Sequence, residues 1–338
     1  MGGFVMRVLI AVTAAVFLAG CGSDGEAGNG GGPGPSRGTV LVVNEELVLE
    51  LALDETHVYW VSNQLLHKLP VGGGEPVEVG RSEGESLALD ATHAYFPGGI
   101  RGTITKLSLV GGSPMAIVTG EKEPTSVAVD STGVYWANWS SYDTGPVADG
   151  SIVRSALDGS NVEPLAEGLV YPRGLALGGD DIYFVSASDE TLYRLPKTGG
   201  IPVAIATGLY DPGPPVLDED AVYVRTRGRP EDANAPDTIV RVPRDGGDAE
   251  VIASERYGIG TLGIHAGFVY YTRSGGFVSC DRPSGVVRRI ASEGGTPKDV
   301  VVEQSDPSHL VVGDSGIYFA NGSSSSHACK TLVKVALP

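Results

Sequence analysis

Cysteine, positive charge and long apolar runs are all scarce in this chain. Its 338 residues hold three cysteines, Cys21, Cys280 and Cys329, and their spacing suits no metal-site motif. Lys and Arg number 24 against 41 Asp and Glu, a formal net charge of −17. That balance excludes binding nucleic acid or anionic lipid through a broad basic field. The longest predominantly apolar run, residues 8–19, is too short to span a bilayer as a helix. No stretch repeats its apolar residues every 3.6 positions, which argues against a helical domain. Gly-Gly pairs follow strand-like segments but never lead into a helix, so a phosphate-cradling loop is absent as well.

What is present begins at the N-terminus. Arg7 precedes the apolar run, which ends in Leu18-Ala19-Gly20-Cys21. This arrangement resembles the bacterial lipobox, in which the cysteine is lipidated and becomes the first mature residue. The resemblance implies a signal peptide over 1–20 and a membrane anchor on Cys21. Removing Arg7 takes the net charge from −17 to −18. Attachment would then rest on acyl chains, two of which hold stably where one is marginal. Gly22 after the cysteine leans, by resemblance to lipoprotein sorting, toward the outer membrane. Residues 22–38 are rich in Gly, Pro and Ser and read as a tether reaching roughly 20–25 Å. In an exported domain Cys280 and Cys329 either pair or stay free; the sequence leaves both open.

Residues 39–338 exceed the usual size of a single core, and they are repetitive. "LALDETHVYW" (51–60), "LALDATHAYF" (87–96) and "VAVDSTGVYW" (127–136) align without gaps. Four looser copies follow, and the series aligns Tyr59, Tyr95, Tyr135, Tyr183, Tyr223, Tyr270 and Tyr318. Spacings of 36 to 48 residues suit four-stranded propeller blades. Within each copy an apolar run, a polar turn and a Tyr-aromatic strand are followed by an alternating strand such as "TIVRVP" and a Gly-containing hairpin turn. The last copy ends after its third strand, while "TVLVVN" (39–44) precedes the first copy unmatched. Seven blades closed by that N-terminal strand follow, hiding two open sheet edges. Six blades plus an irregular segment is the alternative. A single domain of all-β propeller type, monomeric, is expected. The Tyr-Trp pair, repeated around a ring, belongs to packing between blades rather than to a binding site.

The segment "VYWANW…GSIVRSALDGSNVEPLAEGLVYPRGLAL" (134–177) resembles the YWTD repeat of low-density-lipoprotein-receptor propellers. Those have six blades, and the Asp that follows their Tyr-Trp-Thr is missing here, so the resemblance implies fold and not partner. The units are also similar to TolB and NHL propellers.

A site is expected where loops vary on a rigid frame. The loops between second and third strands at 137–151 and 225–238 are long, and the connector 292–309 reads as a third insertion on that face. They carry Trp139, Tyr142, Asp143, Arg225 and Arg227, to which the blade connectors add Tyr171, Arg173, Tyr210, Arg256 and Tyr257. Trp, Tyr and Arg are the common anchors of interfaces. Catalytic motifs are weak. "GRSEG" (80–84) places Ser82 between strands with no helix to follow, unlike a nucleophile elbow. The histidines do not cluster, and no metal or cofactor is called for. The expected function is a non-catalytic binding or scaffold module at the cell envelope, for a protein or polysaccharide partner. A calcium-dependent propeller hydrolase, lactonase or lyase is the alternative, but the blade starts Ser86, Thr125, Arg173, Pro214 and Thr261 offer no acidic set.

Overall fold

The computed structural model describes residues 35–43, 46–139, 148–232, 234–256, 258–275, 283–322 and 330–338. Contacts divide the chain into Met1–Gly34 and Pro35–Pro338, and the second unit is a seven-bladed β-propeller. Each blade is a four-stranded antiparallel sheet. Blade 1 comprises Val48–Leu53, His57–Ser62, Leu65–Pro70 and Val77–Arg81; blade 2 begins at Ala88–Leu89 and blade 3 at Pro124–Asp130. Blades 4, 5 and 6 begin at Pro172–Gly178, Val216–Leu217 and Ile259–His265. Blade 7 takes Pro307–Gly313, Gly316–Asn321 and Thr331–Val335 from the C-terminal end, and Thr39–Val43 as its outer strand. Val40 lies opposite Val333 and Val43 opposite Thr331, so the expected closure is the one observed. Just before this strand, Ser36 N–H donates to Val300 O at 3.1 Å on the outer strand of blade 6.

The core lies between blades. Tyr135, Trp136, Tyr223, Tyr318 and Phe319 are fully buried, and every repeat tyrosine is at most 2% exposed. Neighbouring sheets cover both faces of each second strand, and such strands carry apolar or aromatic residues at consecutive positions. The tyrosine hydroxyls need partners once buried, and in blades 1, 2, 3, 5 and 7 the preceding turn supplies one. In blade 1, Asp54 Oδ1 accepts the N–H groups of Thr56 and His57, each at 2.7 Å, while Oδ2 accepts Tyr59 OH at 2.8 Å. Asp90 and Tyr95 repeat the arrangement at 2.7 Å, as do Asp218 and Tyr223 at 2.9 Å. Burial pushes the carboxyls of Asp54 and Asp90 upward, yet these hydrogen bonds outweigh it and hold both below the usual range.

A second element of the repeat emerges from the strand register. Opposite each tyrosine on the third strand stands a cation: Lys68, Lys106, Arg154, Arg194, Arg241, Arg289 and Lys334. Six of them reach the next blade. Lys68 Nζ donates to Leu109 O at 2.8 Å, Lys106 Nζ to Leu157 O at 3.3 Å, and Lys334 Nζ to Val71 O at 2.5 Å. Arg194 pairs with Asp245 at 2.6 Å, Arg241 lies 3.6 Å from Glu293, and Arg289 Nη1 donates to Pro338 O at 3.4 Å. Blade 3 reverses the pattern: Arg154 stays on its own turn, and Lys197 of blade 4 reaches back to Asp130 at 2.5 Å.

One sequence expectation is corrected. Residues 292–309 are not an insertion, because they contain the fourth strand of blade 6, Lys298–Gln304, and the start of blade 7. The charges in "KDVVVEQ" mark an outer strand with one wet face. A bulge between Ser308 and Leu310, with His309 at φ 38°, hides the start of the next strand from a simple alternating pattern. The intervals between second and third strands are long in blades 3 and 5, as expected, and also in blade 6, where strands end at Arg273 and resume at Gly285.

Replacing Asp90 by Ala removes the acceptor shared by Thr92, His93 and Tyr95 and leaves a buried phenol unpartnered. Stability should fall by about 1–3 kcal/mol, read from the urea midpoint, with the far-ultraviolet spectrum unchanged.

Candidate functional site at the channel mouth

The first strands line the central channel. On five of them a bulge interrupts the register, at Val48/Glu50, Pro124/Ser126, Arg173/Ala176, Ile259/Leu262 and Ser308/Leu310. Bulges re-aim side chains, and those at Glu50, Pro124/Ser126 and Arg173 border a cavity of about 500 Å³ among the first five blades. Blade 1 contributes Leu49 and Glu50, blade 2 Glu85 and Leu87, blade 3 Thr125, Val127 and Trp139, blade 4 Arg173 and Leu175, and blade 5 Pro214 and Arg225. A wider recess of about 840 Å³ adjoins it over blades 1 to 3 and shares Leu49, Glu85, Thr125 and Trp139 with it. Both open on the face that carries the loops between second and third strands.

Trp139, Arg173 and Arg225, three of the residues singled out from sequence, therefore meet in one cavity. Trp139 is set by its backbone N–H, which donates to Glu123 O at 3.1 Å, and Tyr171 meets its ring edge-on at a centroid distance of 5.5 Å. Arg173 Nη2 donates to Asp211 Oδ1 at 2.6 Å and to Pro212 O at 2.8 Å, while Arg227 Nε lies 3.1 Å from Asp211 Oδ2. Burial alone would raise the Asp211 carboxyl; the Arg173 hydrogen bond and the charges of Arg173, Arg225 and Arg227 lower it instead.

Arg225 is different. Its stem packs against Gly213, where an added Cβ would come 2.7 Å from Arg225 Cγ. Nη1 of Arg225 is buried without a hydrogen-bond partner, as is Nε of Arg173. Burial, with the charges of Arg227 and Arg173, pushes the Arg225 guanidinium below its usual value. The nearby Asp237 is spent on backbone, accepting Gly228 N–H and Ile259 N–H at 3.0 Å each.

The other expected residues lie farther out. Arg229 stacks over Tyr210 at 5.1 Å and pairs with Glu190. Arg256 is exposed on the connector to blade 6 and does not line the cavity. Tyr142, Asp143, Tyr257, Cys21, Cys280 and Cys329 fall outside the described residues. Ser82 is 2% exposed in the connector between blades 1 and 2. Asn138 and Asn321, each in a glycosylation-like triplet, are buried on second strands. Among the described residues, no three His, Cys, Asp or Glu side chains converge as metal ligands would.

Glu50, Glu85 and Asp211 were not anticipated. Glu50 had a signal, being the lone charge inside the apolar segment "LVLELAL". Its side chain is enclosed by protein yet touches the channel, and burial pushes its carboxyl up to about 7 against the Leu51 N–H bond that favours the anion.

No protein-family profile matches the chain, and no curated protein matches it in sequence. Solved structures do match in fold. A chain of the nidogen/laminin complex is 19% identical over 68% of this chain and 86% of its own length, with a TM-score of 0.50. The WD40 propeller domain of Doa1 is 16% identical, covering 89% of this chain and 96% of that one, with a TM-score of 0.60. An oligogalacturonate lyase from Vibrio parahaemolyticus is 9% identical, covering 88% and 93%, with a TM-score of 0.65. At these identities the likeness is one of fold. The class is the seven-bladed β-propeller, a scaffold shared by binding modules and enzymes.

The Glu50 carboxyl generates a pH dependence. Its folded pKa is raised, so the native state holds the proton more tightly than the unfolded chain. Its contribution to stability is complete below about pH 4.5 and is lost as pH rises through about 7. Water in the channel screens part of the effect, which leaves about 1–3 kcal/mol. Glu50→Gln should flatten the slope of urea stability between pH 5 and about 7, and an unchanged slope would assign it elsewhere.

Proposed function

We propose that the protein is a lipid-anchored, non-catalytic binding module of the bacterial cell envelope, carrying a protein or polysaccharide partner on the channel-mouth face. The observation that carries this reading is the convergence of Trp139, Tyr171, Arg173 and Arg225 from three blades on one rim. A cationic and aromatic rim on a chain of net charge −17 is a local exception to the surface as a whole, and such residues dominate binding energy at interfaces. The anchor rests on Arg7, the apolar run and Cys21. A tether with a reach of roughly 20–25 Å is long enough for an acidic domain to avoid close contact with an anionic surface.

In the native host, cross-linking and mass spectrometry should recover a discrete partner with the wild-type protein and lose it with Trp139→Ala/Tyr142→Ala. The variant should keep its stability to within about 1–2 kcal/mol, as loop substitutions usually do. Equal loss of fold and partner would remove the case for a separate face. Cys21→Ser should move the protein from the membrane to the soluble fraction and abolish incorporation of labelled palmitate.

A further inference from the structure

The channel cavity, which shares Trp139, Arg173 and Arg225 with the partner-binding face, holds an imbalance of charge. Three guanidiniums, Arg173, Arg225 and Arg227, surround one available carboxylate, Asp211, which pairs with Arg173 and Arg227. Among the described residues Arg225 has no ion pair of its own; its Nη1 is enclosed without an acceptor, while Nε and Nη2 also lack a protein acceptor but are not enclosed, and the residue lines the cavity. Burying a cation unpaired is unfavourable, and a folded protein that does so leaves a place for an anion. The guanidinium fork fits a carboxylate with two parallel hydrogen bonds.

The remainder of the cavity says what the anion is attached to. Leu49, Leu87, Val127 and Leu175 extend the wall from the arginines toward blade 1. Glu50 and Glu85 stand at that far side, where a second negative charge on the ligand would meet them. A phosphate dianion is therefore a poor match, and a single carboxylate on an apolar body is a good one. About 500 Å³ is ample for such a molecule.

We propose that this cavity is a small-molecule site for an apolar monocarboxylate, held by Arg225 with Arg173 and packed along the inner-strand side chains Leu49, Leu87, Val127 and Leu175. The site goes beyond the loop face and requires no partner there. Arg225 makes the direct contact. Arg173, steadied by Asp211 and Pro212 O, closes the same end. Trp139 forms the partition toward the wider recess. Gly213 keeps the Arg225 stem in place, since any side chain there displaces it.

The test is titration calorimetry on the purified propeller unit, Pro35–Pro338, which forms its own compact unit. The probes are octanoate and indole-3-acetate, each beside its uncharged counterpart, octanol and indole-3-acetamide, with inorganic phosphate as a further arm. At least one carboxylate should bind, its counterpart at least tenfold more weakly and phosphate not detectably. Arg225→Met should abolish binding, and Arg225→Lys should retain part of it. Comparing acid with counterpart on the wild-type protein needs no variant, so a misfolded Arg225→Met leaves the test intact. No binding of either carboxylate at millimolar concentration would overturn the proposal. Equal binding of acid and neutral counterpart, or phosphate binding as tight as that of the acids, would do the same. Loss of the envelope partner in Trp139→Ala/Tyr142→Ala cells has no bearing on these outcomes.

Discussion

The structure depends on the pairing of a buried tyrosine with the cation directly across from it on the third strand. The tyrosine fills the space between sheets, and its hydroxyl is tied to an aspartate of the preceding turn in blades 1, 2 and 5. The cation extends past the ring to a carbonyl or carboxylate of the next blade in six of the seven cases. A sheet alone has no reason to stop at four strands or to face its neighbour at a fixed angle. Lysine and arginine stems cover apolar surface while their heads remain polar, so a residue of this type can lie along the sheet and still stitch it to the next. In blade 4, where no turn aspartate reaches the hydroxyl, the partner comes from the next blade: Arg244 Nε donates to Tyr183 OH at 3.2 Å and its Nη2 to Gly178 O.

Such regular stitching holds the outer part of each blade and leaves the inner strand to vary. First strands are only two residues long in blades 2 and 5 and are bulged in the other five. The ring thus stays rigid where blades touch and becomes irregular where they border the channel. A further junction is a buried carboxylate rather than a turn: Glu255, 7% exposed, accepts Tyr271 OH at 2.8 Å and Arg288 at 2.7 Å across blades 5 and 6. The buried charge is tolerated because partners surround it.

The channel mouth departs from that economy. Elsewhere the described cations mostly have acceptors; at Arg225 the acceptor is missing and the cavity is open. Local frustration of this kind is expected at sites that meet a ligand. The acidic wall at Glu50 and Glu85 gives the cavity a polarity from blade 5 to blade 1, which a featureless pore would lack.

Much of this was legible in the sequence. Strand alternation has a period of two and turns carry Gly, Asp and Thr, so the seven copies and the buried Tyr-Trp step could be read locally, and counting strands left Thr39–Val43 over to close the ring. The blade connectors and long loops pointed to Trp139, Tyr171, Arg173 and Arg225. The cation opposite each tyrosine stayed hidden, because it depends on which residue of the third strand falls in register after a turn or loop of variable length. The bulge at Ser308/Leu310 likewise disguised a strand as an insertion. Only the tertiary structure decided which rim residues meet: Arg173 and Arg225 join Trp139 in one cavity, Arg256 stands outside it, and Glu50 enters it from blade 1. The reason is geometric. A repeat specifies each blade through contacts close in the chain, whereas convergence at the axis depends on how seven sheets are set around a ring and on where their inner strands bulge.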